Sequence, residues 1–228
     1  MTIAESVEEI GQWAFWNCEG LQTVYIPKNV RVMDEGIFTA CWQLTAIVVD
    51  AQNSNYYSVD GVLLTKDLST LCAYPIGKDN KAYTVPEGVK RIEIRAFDSS
   101  SLESVILPDG VVEISAFAFD YCRELTKIRI AVSTKTISEE AFRGIDAENI
   151  TIYGEIGSYA EEFAGENGMV FIAGDIPESI CDHANTRSEY SKTTYTQIAG
   201  NEKQHQMIKH YKVICDECNV TLDAEGMP

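Results

Sequence analysis

The 228-residue chain contains few basic residues, few histidines and no long apolar run. Lys and Arg number 18 against 35 Asp and Glu, which gives a formal net charge of −17 at pH 7. Nucleic-acid binding needs clustered basic side chains, so this balance argues against a protein that binds the phosphate backbone. No run approaches the roughly 18 apolar residues of a membrane-spanning helix, so the sequence predicts no membrane insertion.

All three histidines lie within the last 46 residues, so the first 182 residues contain none. The commonest general base of enzymes is therefore missing from any site that those residues form. The chain also lacks a Gly-rich phosphate loop, a Gly-x-Ser-x-Gly elbow and a His-Glu-x-x-His pair. Adjacent carboxylates such as Glu139 and Glu140 are abundant in so acidic a chain, and we interpret them as solvated rather than as a glycosidase pair. We therefore predict that the protein is not an enzyme.

The first residues, from Met1 to Ser6, carry neither the basic nor the apolar segment of a signal peptide. A patterned segment begins at Val7, almost without lead-in. We therefore expect a fragment of a longer protein, whose location has to be inferred from the kind of protein it is.

The dominant feature of the sequence is an internal repeat of 22 to 23 residues. Five units start at Ile10, Met33, Ile92, Ile114 and Ile137, and each has a Phe five residues later: Phe15, Phe38, Phe97, Phe119 and Phe142. A short stretch of alternating apolar residues ends each unit, and this period of two predicts a strand. A unit so short cannot close its own core, so neighbouring units must cover it. We expect a solenoid with a parallel sheet along one side.

Residues 10–27 show the full pattern, Ile-Gly-x-x-Ala-Phe-x-x-Cys-x-x-Leu-x-x-Val-x-Ile-Pro. This pattern resembles the BspA-like, or treponemal-type, leucine-rich repeats of bacterial surface proteins, and the resemblance covers residues 7–173. It implies an α/β-type solenoid, a right-handed leucine-rich repeat superhelix with a parallel sheet face, as a domain over residues 1–174. It also implies an extracellular or cell-surface location and a role in adhesion.

The second and third unit starts are 59 residues apart, which is 36 more than one period. Within this gap, Asp60-Gly61 stands between two apolar stretches and is a strong signal for a two-residue hairpin. Lys66-Asp67-Leu68-Ser69 supplies a second turn. We predict a small antiparallel meander that buds from the solenoid over about residues 50–86.

The end of the array carries helix signals. Tyr159, Ala160 and Phe163 share one helical face, Ser158 is a candidate N-cap, and Gly168 is a stop signal. We predict a helical cap over residues 158–167 and a final strand over residues 169–172, because the terminal unit of a solenoid needs a cover.

The last segment, residues 175–228, is predicted to be a separate small β-rich domain of the zinc-ribbon type. Its candidate ligands to a structural zinc ion are Cys181, His183, Cys215 and Cys218, with His205 and His210 as alternates to His183. A Cys-x-x-Cys turn presents two thiolates to one metal, and a second short pair completes a tetrahedron. The Cys-x-His spacing is shorter than usual, so a disulfide or an unliganded cluster remains an open alternative.

The remaining candidate sites are surfaces. Residues between the apolar strand positions face outward on the sheet, and the proposed contacts among them are Tyr25, Val48, Ile106, Lys127, Arg129 and Tyr153. Trp13, Trp16 and Trp42 form a second candidate patch or cover the exposed end of the solenoid. Cys18, Cys41 and Cys122 recur at one repeat position, which favours a buried ladder of small side chains over catalytic thiols.

The sequence therefore favours a non-catalytic protein-binding or adhesion module. Its expected partner is a host, matrix or other bacterial surface protein, because solenoids present long recognition surfaces. One alternative is a structural or targeting spacer attached to an enzyme outside the fragment. The other is a carbohydrate-binding module that uses the tryptophans.

Overall fold

In the computed structural model, residues 1–177 are described, together with the backbone of three strands at residues 186–197, 205–215 and 221–222. The chain divides into two compact units, Met1–Ile176 and Pro177–Pro228. Among the described residues no helix is long and apolar enough to cross a membrane.

The first unit is built from short strands joined by turns. Its strands are β1 (Glu9–Ile10), β2 (Thr23–Ile26), β3 (Val32–Met33), β4 (Ala46–Val49), β5 (Tyr56–Val59), β6 (Val62–Thr65), β7 (Thr70–Ala73), β8 (Ala82–Thr84), β9 (Arg91–Ile92), β10 (Ser104–Ile106), β11 (Glu113–Ile114), β12 (Lys127–Arg129), β13 (Thr136–Ile137), β14 (Thr151–Gly154) and β15 (Val170–Ala173). Its one α-helix, α1, spans Tyr159–Glu166, and a short 3-10 turn spans Ala147–Asn149.

The strands form a β-solenoid with parallel sheets, as the repeat predicts. Strands β2 and β4 pair with each other, and β8, β10, β12, β14 and β15 form a five-stranded parallel sheet in that order. We call these seven strands the main sheet, with β4 and β8 unpaired to each other. The two-residue strands build the second face: β1 pairs with β3, and β9, β11 and β13 continue a six-stranded sheet that starts with β5, β6 and β7.

The Ala-Phe segment of each unit forms turns instead of a helix. The solenoid therefore contains less helix than the expected α/β type. Trp13, Arg95 and Phe117 have φ near +60° at one repeat position, where the second unit has Gly36. Ala40 and Tyr121 are likewise left-handed four residues further along their units. Each of the first four units has two left-handed residues at these positions, and the fifth has one, Gly144. They end any helix within one turn, since residues in this conformation cannot continue a right-handed helix.

The core is a ladder of stacked rings behind the sheets. The centroids of Phe97 and Phe119 are 4.9 Å apart and those of Phe119 and Phe142 are 5.2 Å apart, with nearly parallel planes. Cys41 and Cys122 are fully buried beside this ladder, as predicted, whereas Cys18 is half-buried. The repeat therefore places equivalent residues on top of one another, so each unit closes its neighbour's core.

The insert contains the predicted hairpin, but it does not bud from the solenoid. Strands β5, β6 and β7 are antiparallel, and the turn has φ of +49° at Asp60 and +79° at Gly61. Strand β6 is buried on both faces: Leu63 joins the core of the first two units, while Val62 and Leu64 join the core of the later units. The hairpin is thus a layer within the stack that separates two cores.

The end of the insert is a shortened repeat unit that the sequence pattern did not reveal. Strand β7 pairs in parallel with β9, with Leu71 opposite Ile92, and β8 joins the main sheet. Tyr74 stacks on Phe97 with centroids 5.4 Å apart and so takes the place of the repeat Phe. The shortened unit starts at Leu71, only 21 residues before Ile92, and Tyr74 follows that start by three residues instead of five. The unit therefore does not match the pattern of the other five. The shortened unit shares one sequence feature with other units, a proline after its main-sheet strand, here Pro86 after β8.

The array ends on helix α1 and strand β15. The Ser158 hydroxyl accepts a hydrogen bond from the Glu161 amide, as expected of an N-cap. Ala160, Phe163 and Ala164 are buried, and the Phe163 ring lies 5.9 Å from that of Phe142. The helix and strand agree with the predicted positions to within one residue.

The described residues of the second unit form three antiparallel strands: β16 (Thr186–Gln197), β17 (His205–Cys215) and β18 (Thr221–Leu222). Thr186 lies opposite Cys215 and Gln197 lies opposite His205. The predicted ligands Cys181, His183 and Cys218 lie outside the described residues.

Candidate functional site: the outward face of the main sheet

The register of the main sheet aligns the predicted contact residues in rows. Thr84, Ile106, Arg129, Tyr153 and Ile172 pair consecutively across β8, β10, β12, β14 and β15. Ser104, Lys127, Thr151 and Val170 form the neighbouring row. Because side chains alternate along a strand, the residues between these rows point into the core, and Val105, Ile128 and Ile152 are fully buried there.

Tyr25 and Val48 are paired neighbours on the two-stranded part of the main sheet. The Tyr25 hydroxyl donates to Asp50 at 2.5 Å, and this hydrogen bond lowers the pKa of the Asp50 carboxyl and raises that of the Tyr25 phenol. Val48 is 40% exposed. This part of the face therefore combines a fixed tyrosine with an exposed aliphatic side chain.

Arg129 is held in place at the centre of the five-stranded part. Its Nε donates to Asp175 at 2.5 Å, and its Nη1 donates to the carbonyl of Leu107 at 3.0 Å and to Asp109 at 3.2 Å. A guanidinium with several fixed partners presents a defined charge, since little rotamer freedom remains to be lost on binding.

Tyr153 differs from the sequence expectation. It lies in the outward row between Arg129 and Ile172, but its side chain is only 7% exposed, and burial raises the pKa of its hydroxyl. Ile172 and the adjacent Val170 are instead exposed at the end of the face. Sequence reasoning missed both, although they continue the alternating pattern in the last strand.

The three tryptophans differ in their exposure and surroundings. Trp13 lies against Gly36, where an added Cβ would come within 2.8 Å of the indole Cζ3, and the Arg95 guanidinium lies 5.2 Å from the Trp13 ring. Trp16 and Trp42 are 60% and 56% exposed. Among the ring pairs within stacking distance in residues 1–177, none joins two of these tryptophans.

A buried ion cluster on the turn side is the largest charged feature that sequence reasoning missed. Asp120 is fully buried and accepts from Arg95 at 2.7 Å and from Arg143 at 2.5 and 2.9 Å. Both guanidinium groups lie over the Phe117 ring, at 4.8 and 4.4 Å. Asp120 and Arg143 stand at the same repeat position of consecutive units, 23 residues apart, so stacking of the units brings them together. Arg95 comes from a different position of the preceding unit, and the repeat alone does not predict its contact with Asp120.

Two buried thiols of the first unit are unsuited to nucleophilic chemistry. Burial raises the pKa of Cys72 to about 12 and that of Cys122 to about 12, so both stay protonated at neutral pH. Within the described part of the chain, no group of three or more His, Cys, Asp and Glu side chains is arranged to hold a metal ion.

Comparison with known proteins places most of the first unit in one repeat family. A family model described as a BspA type leucine rich repeat region matches residues 1–60 and 77–171 in six copies. No curated protein matches the chain.

Solved structures that resemble this chain come from several bacteria. A leucine-rich repeat protein from Eubacterium ventriosum has a TM-score of 0.63 at 24% identity, over 69% of this chain and 42% of that chain. The pneumococcal vaccine antigen PcpA has a TM-score of 0.49 at 18% identity, over 77% and 67%. A leucine rich cell surface protein from Faecalibacterium prausnitzii has a TM-score of 0.45 at 25% identity, over 71% and 54%. The first of these shows the same fold, and the chain spans less than half of its length.

Proposed function

The chain belongs to the BspA-type leucine-rich repeat family, and we propose that it is a non-catalytic protein-binding module whose contact surface is the outward face of the main sheet. The carrying observation is the composition of that face. Exposed Val48 lies on β4 and exposed Ile172 on the last strand, β15, and the basic side chains of Lys127 and Arg129 lie on β12 in the five-stranded part. Protein interfaces have an apolar core and a polar rim and are enriched in arginine, and this face offers apolar and arginine side chains on a strongly acidic molecule.

The proposed setting is the bacterial cell surface or the extracellular space, with a host, matrix or other bacterial surface protein as partner. Family membership supports this setting, because repeats of the same type are the ones found in bacterial surface proteins. Protein recognition is also the common use of solenoids, which present a long continuous surface.

We expect the double variant Val48→Asp, Lys127→Glu to reduce binding about tenfold or more, because new carboxylates on the face must lose water without a partner. The labelled chain is measured against cultured epithelial cells, immobilised matrix proteins and intact bacterial cells. Each measurement compares the wild type with the variant over the same concentration series.

The matched control is Val112→Asp, Lys135→Glu, which makes the same two changes outside the main sheet. Val112 is 42% exposed against 40% for Val48, and both lysines are exposed. Equal binding by the two double variants would contradict the assignment to the sheet face. If only the double variant Trp16→Ala, Trp42→Ala lost binding, the contact surface would be assigned to the tryptophans. That result would favour the carbohydrate-binding alternative.

The tail is a separate proposal: we propose a structural zinc ion bound by Cys181, His183, Cys215 and Cys218. Strand β16 begins three residues after His183, and β17 ends at Cys215, three residues before Cys218. The described register pairs Thr186 with Cys215, so both Cys-containing segments adjoin the same end of the ladder. This arrangement fits four protein ligands around one ion.

The strand geometry favours His183 over the two alternate histidines. His205 and Cys215 are ten residues apart in β17, or about 33 Å at the rise of an extended strand, and His210 is about 17 Å from Cys215. Ligand atoms lie only about 2.0–2.3 Å from a zinc ion, so neither separation suits a shared site.

Protein purified without added metal is expected to contain about one zinc per chain, and Cys218→Ser is expected to lose it. Elemental analysis measures the metal content, and mass spectrometry of the alkylated chain detects a disulfide. Zinc below about 0.2 per chain would contradict the proposal. A disulfide among the three tail cysteines would establish the alternative instead.

A further inference from the structure

Two cysteines stand at the same position of the first and second repeat units. Cys18 and Cys41 each follow the start of their repeat by eight residues. Both side chains pack into the core of these two repeat units, where Cys41 is fully buried and Cys18 is half-buried. Both are free thiols, and the outward face of the main sheet does not use them.

Backbone hydrogen bonds hold the two repeat units in register as far as these cysteines. The Phe15 amide donates to the carbonyl of Ile37 at 3.1 Å, and the Asn17 amide donates to the carbonyl of Thr39 at 3.0 Å. Chain segments joined in this way lie about 4.7–4.9 Å apart. That spacing falls within the roughly 4.4–6.8 Å that separates the Cα atoms of disulfide-bonded cysteines.

A later pair of repeat units shows how close two side chains at this position come. Ser100 and Cys122 are the equivalent pair in the third and fourth repeat units, and the Ser100 Oγ lies 3.4 Å from the Cys122 Sγ. The Cys122 Sγ donates to the carbonyl of Phe97 at 2.9 Å. The Cys41 Sγ donates to the carbonyl of Phe15, also at 2.9 Å. Because the two pairs stack alike, the two sulfurs of the earlier pair lie within reach of each other.

The two thiols of the earlier pair differ in access and acidity. Burial raises the pKa of the Cys41 thiol, which the backbone and the sulfur of Cys18 also influence. Cys18 is the more accessible of the two, so a reagent from solvent reaches it first. This combination favours Cys18 as the attacking thiol and Cys41 as the one that closes the bond.

We propose that Cys18 and Cys41 form a modification site at which a low-molecular-weight disulfide, such as oxidised glutathione, generates a disulfide bond. The Cys18 thiolate attacks one sulfur of the reagent, whose S–S bond breaks and releases one glutathione. The Cys41 sulfur then attacks Cys18 in the mixed disulfide, and the second glutathione leaves. Each leaving thiolate takes up one of the protons that the cysteines lose. The two cysteines are thus oxidised by two electrons, and the reagent is reduced by two.

The bond links the first repeat unit of the solenoid to the second. It stabilises the folded state, because it closes a loop in the unfolded chain and lowers the entropy of that chain. Only the source of the oxidant rests on the proposed function, since the extracellular setting is an oxidising one in which such bonds persist. The chemistry itself depends neither on that location nor on a partner protein, so it can be tested apart from both.

The test is oxidation of the full folded chain in a glutathione redox buffer, followed by alkylation, tryptic digestion and mass spectrometry. Cleavage at Lys28, Arg31 and Lys66 places Cys18 in peptide 1–28 and Cys41 in peptide 32–66. We expect the bridge between these peptides to be at least about tenfold more abundant than any other cysteine pair of the first unit, because folding holds these two thiols together. Reduction with dithiothreitol is expected to release both peptides.

Two serine variants are compared with the wild type. Cys41→Ser is expected to abolish the bridged peptides and to leave Cys18 as its glutathione mixed disulfide. Cys122→Ser is the matched control, because it removes an equally buried thiol with an equivalent hydrogen bond and should leave the bridge unchanged. Oxidation is also expected to raise the unfolding temperature of the wild type by about 5 °C or more, an increase that Cys41→Ser should lack.

Three outcomes would overturn the proposal. One is an oxidised chain in which Cys18 carries glutathione while Cys41 stays free, which would show that the two sulfurs cannot meet. Another is an equal yield of the bridge in concentrated urea, which would show that nearness along the sequence, and not the fold, joins them. The third is an unfolding temperature that oxidation leaves unchanged, which would show that the bond does not hold the two repeat units together.

Discussion

Replacing Asp120 with alanine is expected to lower the free energy of unfolding of the first unit by about 3–5 kcal/mol. The fully buried carboxylate accepts from both Arg95 and Arg143. Its removal leaves two guanidinium groups without their main partner, and the Arg95 side chain is itself largely buried. Breaking a buried pair costs far more than an exposed pair contributes, because the remaining charge stays desolvated. Urea denaturation of wild type and variant measures the difference.

Asp109→Ala is the control for this prediction. Asp109 also pairs with an arginine, at 3.2 Å from Arg129, but its side chain is 79% exposed. Its loss is expected to cost less than about 1 kcal/mol, because water replaces the partner. If Asp120→Ala cost no more than Asp109→Ala, the buried cluster would have no role in stability.

Replacing Gly61 with alanine is expected to destabilise the first unit by about 2–5 kcal/mol. An added Cβ would lie 2.9 Å from the backbone Cα of Ala46 and 3.3 Å from the carbonyl oxygen of Thr45. Backbone cannot move aside as a flexible side chain does, so the hairpin would have to shift away from β4, and overpacking of this kind costs about 1–3 kcal/mol. The φ of +79° adds a left-handed strain of about 1–2 kcal/mol for any residue with a Cβ.

Gly88→Ala separates the two contributions. Gly88 has a φ of +93°, but nothing lies within 4 Å of a Cβ built there. This variant is expected to lose only the strain of about 1–2 kcal/mol. Thermal or urea unfolding of both variants gives the comparison, and equal losses would show that contact with β4 is unimportant.

The sequence predicted the elements whose signals are local. Residues 10–27 and their repeats specify a strand and a turn because side-chain periodicity is set by each strand alone. Asp60-Gly61 specifies its hairpin because few residue pairs adopt positive φ at both positions. The shortened unit escaped notice because Tyr74 stands at an earlier position than the repeat Phe, and only stacking on Phe97 shows its equivalence.

The candidate contact face was predictable in part. Alternation assigns Ile106, Lys127 and Arg129 to the outward side, and the register places Ile106 beside Arg129. Exposure depends instead on the neighbours across the sheet. Tyr153 is therefore covered although its position in the strand is outward, while Ile172 in the last strand is exposed.

By itself the sequence determined the repeat, its strands and the acidity of the chain, because these depend on residue type and on spacing within one unit. Tertiary structure alone decided where the hairpin lies, that Arg95 meets Asp120, and that Tyr74 continues the aromatic ladder onto Phe97. Those features join residues from different units, such as Arg95 with Asp120 and Tyr74 with Phe97. Contacts of this kind form only when the units stack. Stacking sets the distance in space between two residues, whatever their separation along the chain.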